Sequence, residues 1–226
     1  MTMTTHDEVA TRALQGLGDG SSSVRLRAAL AIGTAPDPRF VGPLVERCAV
    51  EPDFSVREML TWALTRHAPS LTLPGLLGEV RSEVPRARSQ ALHTLSKIGD
   101  RRAWPVITRE LLSDADDEVA RSAWRAAVVL VPEVERAELA EALATQLGRG
   151  GRETWLSLSR ALIALGEVIL PTLSAATTNG SPGVRRHAAA TERLLHDPDA
   201  GFAFSIEEAK RVAVLGTSGQ EGRGGG

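Results

Sequence analysis

Val24-Arg25-Leu26-Arg27-Ala28-Ala29-Leu30-Ala31-Ile32 is the stretch that decides the fold, because its pattern returns along the chain. Ala28 stands three residues after Arg25 and Ile32 seven after it. Val56-Arg57 is followed at the same offsets by Leu60 and Leu64, Ala87-Arg88 by Ala91 and Leu95, and Val119-Ala120 by Ala123 and Ala127. Val184-Arg185 is followed by Ala188, although Glu192 breaks the apolar pattern. The remaining copy falls near Arg152-Glu153, followed by Leu156 and, off pattern, by Arg160. The pairs therefore start at 24, 56, 87, 119, 152 and 184, with spacings of 32, 31, 32, 33 and 32 residues. Apolar residues at steps of three and four form one face of an amphipathic helix. A period in the low thirties is the signature of stacked helical units, each too small to bury its own apolar stripe.

Every unit then divides in two. After the first helix come Gly33-Thr34-Ala35-Pro36-Asp37, His67-Ala68-Pro69, Gly99-Asp100, Val131-Pro132 and Leu165-Gly166, where Gly and Pro stop one helix and let another begin. Second helices are expected over Pro38–Val50, Leu73–Arg81, Ala103–Ser113, Glu133–Leu147 and Val168–Thr177. Pro43, Pro74, Pro105 and Pro171 sit near their starts, where a missing N–H costs little. Ser55 and Glu58 have capping-box spacing, and Asp19, Asp53, Asp114 and Asn179 precede other first helices as candidate caps. The expectation is an all-α fold, a right-handed α-solenoid of about six helix pairs over residues 1–200. Its units start near 19, 51, 82, 114, 147 and 179, and residues 6–18 read as an N-terminal capping helix. Residues 201–215, with capping-box spacing at Ser205 and Glu208, read as a C-terminal cap, and 216–226 as a Gly-rich tail.

Asp19 to Ala28, the break after it, and Asp37-Pro38-Arg39-Phe40-Val41-Gly42-Pro43-Leu44 resemble the short HEAT-like repeat of phycobilisome lyases and their relatives. Asp100-Arg101-Arg102-Ala103-Trp104-Pro105-Val106 is a second close match. The likeness runs from residue 6 to about 197 and implies the helix-pair fold; folds of this kind host many roles. Bilin lyase activity, or another enzyme subunit of that family, is the enzymatic alternative it implies, but no residue here marks a tetrapyrrole site. Deoxyhypusine hydroxylase, a HEAT-like di-iron enzyme, is recognised by His-Glu pairs. None of His6, His67, His93, His187 and His196 is followed by Glu, so that likeness stops at the fold.

Composition narrows the function classes. The 226 residues carry a net charge of −2, which argues against a general nucleic-acid binder. DNA alkylation-repair glycosylases share this architecture and are the nucleic-acid alternative. Trp62, Trp104, Trp124 and Trp155 could supply their aromatic residues, but Glu133, Glu135, Glu138 and Glu141 would interrupt a phosphate-tracking stripe. The spacing of the glycines in Gly16-Leu17-Gly18-Asp19-Gly20 suits a helix end, since no strand precedes them as a phosphate loop requires. Cys48 cannot form an intrachain disulfide and reads as a small apolar residue on a helix face. No catalytic, metal-binding or cofactor-binding motif stands out. The N-terminal residues lack the pattern of a signal peptide and no apolar run is long enough to span a bilayer, so the expected location is cytoplasmic.

Two sets of residues remain. Arg25, Arg57, Arg88 and Arg185 recur at one repeat position and are expected to form a structural ladder between units. Arg39, Arg101, Arg102, Trp104 and Arg109 are expected on the second helices, which line the concave side of such arrays. Trp and Arg are typical anchors for a protein or peptide. The functional expectation is thus a non-catalytic interaction scaffold or regulatory adaptor with a protein or peptide partner.

Overall fold

A computed structural model describes residues 2–197, and among them every regular element is helical. α1 (Thr2–Leu17) packs on α2 (Ser22–Thr34) and α3 (Val41–Val50). Unit one is α2, a 3₁₀ turn at Pro38–Phe40, and α3. Unit two is α4 (Phe54–Thr65) and α5 (Pro69–Glu79). Unit three is α6 (Pro85–Ile98), a 3₁₀ run Arg101–Val106 and the single turn α7 (Arg109–Leu112). Unit four is α8 (Asp117–Leu130), a 3₁₀ turn Glu133–Glu135 and α9 (Arg136–Ala144). Unit five is α10 (Arg152–Ala164), a 3₁₀ turn Gly166–Ile169 and α11 (Leu170–Asn179). α12 (Pro182–His196) opens unit six. The expected cap at 201–215 and tail at 216–226 lie outside the described residues.

First helices stack on first helices, α2 on α4 and so on to α10 on α12, while each second helix packs against the first helix of the next unit. The array is an all-α solenoid. Its core is a continuous apolar column through Ile32, Leu44, Leu60, Leu64, Leu92, Leu95, Trp124, Leu130, Leu158 and Leu162, all buried. Close stacking needs small residues. Trp62 lies over Gly33 of the preceding unit, and a Cβ at Gly33 would come within 2.3 Å of its ring. Cys48 is buried on α3, and burial pushes its thiol up to about 12.

The sequence expectations need correction in three places. Unit five is shifted by two residues. Gly148 and Gly150, at φ +82° and +66°, form an extra turn that delays the helix, and the pair at the repeat position is Thr154-Trp155. The apolar followers are then Leu158 and Leu162, both buried, and Arg160 falls on the exposed side where an arginine belongs. The second helices are mostly a 3₁₀ turn running into a short α-helix. In unit three the expected Ala103–Ser113 helix is broken at Ile107-Thr108, after the N–H-less Pro105 and before a new start capped by Thr108. In unit two the helix starts at Pro69, which places Pro74 inside it rather than in the first turn.

Of the candidate caps, Asp53 caps α4 with its side chain, while Ser55 lies inside α4. Asp116 and Ser181, two residues after the candidates Asp114 and Asn179, cap α8 and α12. Asp19, Glu51 and Asp114 stand two residues before the cap residue and accept its N–H at 2.7, 2.9 and 2.9 Å. The acid thus stiffens the loop; after Glu51 and Asp114 the residue two further on caps with its side chain, whereas Ser21 makes no side-chain cap bond.

Candidate functional site

The repeated arginines hold the loops between units. Arg25 Nη1 donates to the carbonyls of Asp19 and Gly20, Arg57 Nη1 to those of Glu51 and Pro52, and Arg88 Nη1 to those of Ser82 and Glu83. Arg185 Nη1 donates to Gly180 O at 2.7 Å. Each guanidinium therefore ties down the loop that enters its own helix. Arg25 and Arg88 also reach the acid heading the next unit, Glu51 at 2.7 Å and Asp114 at 2.9 Å. Ala120 breaks the series, and Arg149 compensates from the other side. It donates to Asp114 O, the carbonyl six residues before Ala120, and pairs with Asp117.

Glu51 is the most heavily committed of these groups. It is fully buried and accepts from Arg25 Nε and Nη2, from Arg47 Nε and from the Asp53 N–H, while Arg86 donates to its carbonyl. Burial alone would raise its pKa, but the bonds from Arg25, the Asp53 N–H and Arg47 outweigh it and hold the carboxylate at about 2.

Between the first helices runs a seam of buried hydroxyls: Thr61 with Thr94 and Gln90, Ser89 with Ser122, and Ser159 with Thr191. His187 ends the seam. It stacks on Trp155 with ring centroids 4.5 Å apart, and its Nδ1 accepts the Gly148 N–H at 3.0 Å. The proton therefore sits on Nε2, facing Trp155 O at 3.0 Å and Ser159 Oγ at 3.2 Å. Burial pushes the imidazole down to about 4 against the pull of the Trp155 carbonyl. A histidine held neutral in the fold favours folding above the ordinary histidine range. That contribution falls between about pH 6.5 and about 4, where the unfolded chain binds the extra proton. The expected loss is on the order of 3 kcal/mol. Thermal melts of wild type and His187→Gln should diverge in pH slope across this window; parallel slopes would rule out the role.

The residues expected to bind a partner are not one cluster. Arg39 lies in unit one, doubly bonded to Asp37. Arg101, Arg102, Trp104 and Arg109 come together in unit three, but three of them are engaged. Arg102 clips Asp100 at 2.6 Å, and bonds from its side chain and N–H hold that carboxyl at about 2. Trp104 packs its half-buried ring on the core and donates its indole N–H to Glu135 of unit four at 2.9 Å. Arg109 pairs with Glu138, also of unit four, at 2.8 Å, and both are exposed. Arg101 is exposed.

Sequence reading passed over Val134 in the unit-four half of this surface. Of the unit-four glutamates, Glu135 and Glu138 hold Trp104 and Arg109 in place. Val134, beside Glu135, is 90% exposed. The signal was present as an apolar residue alone among acids, Glu133-Val134-Glu135, in a 3₁₀ turn with no buried residue. The surface is a ridge across units three and four: Trp104 oriented by Glu135, Val134 projecting, Arg101 open, and the Arg109–Glu138 pair at one side.

Residues 43–128, which span α3 to α8, match the family model of HEAT repeats. Over that stretch the chain is similar to HEAT repeats. The array is also similar to solved solenoids. One is the crystal structure of Kap121p bound to Pho4p, at 19% identity and TM-score 0.58, covering 81% of this chain and 22% of that one. Another is the karyopherin Kap121p bound to the SUMO protease Ulp1p, at 19% identity and TM-score 0.59, covering 83% of this chain and 23% of that one. The chain thus spans less than a quarter of those chains, and the likeness is one of fold. No curated protein matches the sequence. Among the described residues, no helix is long and apolar enough to cross a membrane, and no three His, Cys, Asp or Glu side chains are grouped to hold a metal.

Proposed function

We propose that this chain is a non-catalytic scaffold that binds a protein or peptide on the second-helix ridge of units three and four. The supporting observation is the Trp104–Glu135 hydrogen bond beside the exposed Val134. An indole fixed in orientation, an aliphatic group in water and an open arginine make a pre-organised contact, because little side-chain entropy remains to be lost on binding. The Kap121p structures hold protein partners, as their Pho4p and Ulp1p complexes state, and this agrees with the same use of the fold here. A cytoplasmic setting fits this reading.

The geometry also selects the test. Trp104→Ala would disturb the packing and Arg102→Ala would release Asp100, so neither isolates binding. Arg101→Glu with Val134→Asp changes only exposed groups and should leave the melting temperature within a few degrees. Affinity capture from the host's lysate should recover a partner with wild type and lose it with the double variant. Recovery of nucleic acid or a small ligand in place of a protein would contradict the scaffold reading.

A further inference from the structure

The opposite face of the solenoid, formed by the outer sides of the first helices, carries an ordered pattern. Five residues after each repeat-position residue stand Leu30, Trp62, His93, Arg125 and Arg160 on α2, α4, α6, α8 and α10. The first helices stack in that order, so these residues form one row. Leu30 and Trp62 are 45% and 38% exposed, and Trp62 is braced on Gly33. Arg125 and Arg160 are exposed. Four residues further along each helix runs a second row, Thr34, Arg66, Lys97, Val129 and Ala164, also on the exposed side. The two rows hold four cations and no carboxylate.

Helix-dipole chemistry accounts for only part of this. Arg66 and Lys97 lie at helix C-termini, where cations are favoured in any helix. Arg125 and Arg160 lie further inside their helices. The nearby acids are shared: Glu118 pairs with Arg121 and, at 3.6 Å, with the half-exposed Arg125, Glu153 pairs with Arg121, and Glu58 lies 3.1 Å from His93. The positive field reaches His93. Burial lowers its pKa, Glu58 raises it, and Arg125 and Lys97 push it down again, with a net fall.

We infer that this first-helix face is a second docking surface, for an extended acidic segment of a partner protein with apolar residues at one end. Leu30 and Trp62 take the apolar end, and Lys97, Arg125 and Arg160 take the carboxylates. Packed helices are about 10 Å apart and an extended strand rises about 3.3 Å per residue. One side chain in roughly three therefore meets each unit, and the five-unit row matches about thirteen residues. A nucleic acid would track phosphates continuously, and the Leu30 and Trp62 positions of the first row present apolar side chains to it, with Arg66 of the second row beside them.

The test is fluorescence anisotropy with a labelled peptide of about thirteen residues, built on that spacing. It carries leucine at the first two anchor positions, glutamate at the next three, and Gly and Ser between. The probe should bind, and its affinity should fall as salt rises. Arg125→Glu with Arg160→Glu should weaken binding at least about tenfold, and Leu30→Glu should weaken it separately. All three sites are exposed, so unchanged circular dichroism and melting temperature should confirm intact folding. The ridge variant Arg101→Glu, Val134→Asp should bind this peptide normally, which separates this surface from the proposed ridge. Equal binding of a scrambled peptide, binding of a single-stranded oligonucleotide in preference, or no effect of the charge reversals would each overturn the inference.

Discussion

Glu51→Ala will destabilise the array by about 3–5 kcal/mol, the range for removing one partner of a buried ion pair. The carboxylate is fully buried and neutralises two guanidiniums, Arg25 and Arg47. Its loss leaves Arg25, itself buried, with backbone carbonyls alone, and frees the N–H of Asp53, the cap residue of α4. Units one and two are joined through this carboxylate, so the loss falls on their junction. Glu46→Ala, which removes an exposed acid from the same helix, should change stability by less than about 0.5 kcal/mol. Denaturant unfolding of both variants checks the expectation, and equal midpoints would refute it. The acid dependence has a definite sign. With its folded value near 2, below the ordinary 4.5, Glu51 stabilises the fold fully above about pH 4.5. That contribution is lost as the pH falls toward 2 and is absent in Glu51→Ala.

Trp124→Ala should cost about 3–5 kcal/mol, as large truncations in a packed core do. Trp124 is fully buried on α8, and its indole N–H donates to Leu112 O at 2.8 Å, at the end of the one-turn helix α7. A helix of four residues has almost no intrinsic stability. The indole thus fills the core between units three and four and ties down the shortest second helix of the array. Trp124→Phe keeps most of the volume and loses the bond, so it should cost roughly 1–2 kcal/mol. A Trp124→Ala protein that unfolds at the wild-type midpoint would place the ring outside the cooperative core.

The repeat was legible because it lies in the first helices. Their apolar residues face the stack at fixed steps, and the period of about 32 is written in pairs such as Val24-Arg25 and Val56-Arg57. The second helices were less legible. Their 3₁₀ starts follow hydrogen bonds such as Asp37 to the Arg39 N–H, which leave no periodicity. Unit five was misread because Gly148 and Gly150 shift the frame without altering the overall spacing to unit six. Nothing in the sequence marks Glu51 as buried; Arg47 stands four residues before it, but only the fold brings Arg25 to it. The ridge was half legible. Arg101, Trp104 and Arg109 carry its chemistry, but Glu135 and Glu138, some thirty residues away, orient two of them. Sequence alone shows glutamates near arginines as mixed charge and cannot show which pairs close.

The most direct test of the scaffold reading is photo-crosslinking from position 134 in the native host. A photoreactive amino acid replacing Val134 stands at the most exposed point of the ridge, and one replacing Val50, which is 62% exposed elsewhere, serves as the control. The expected result is a discrete polypeptide adduct from position 134 that is absent from position 50 and lost when Arg101 is reversed to Glu. No adduct from 134, the same adduct from both positions, or an adduct with nucleic acid would contradict a protein-binding ridge on units three and four.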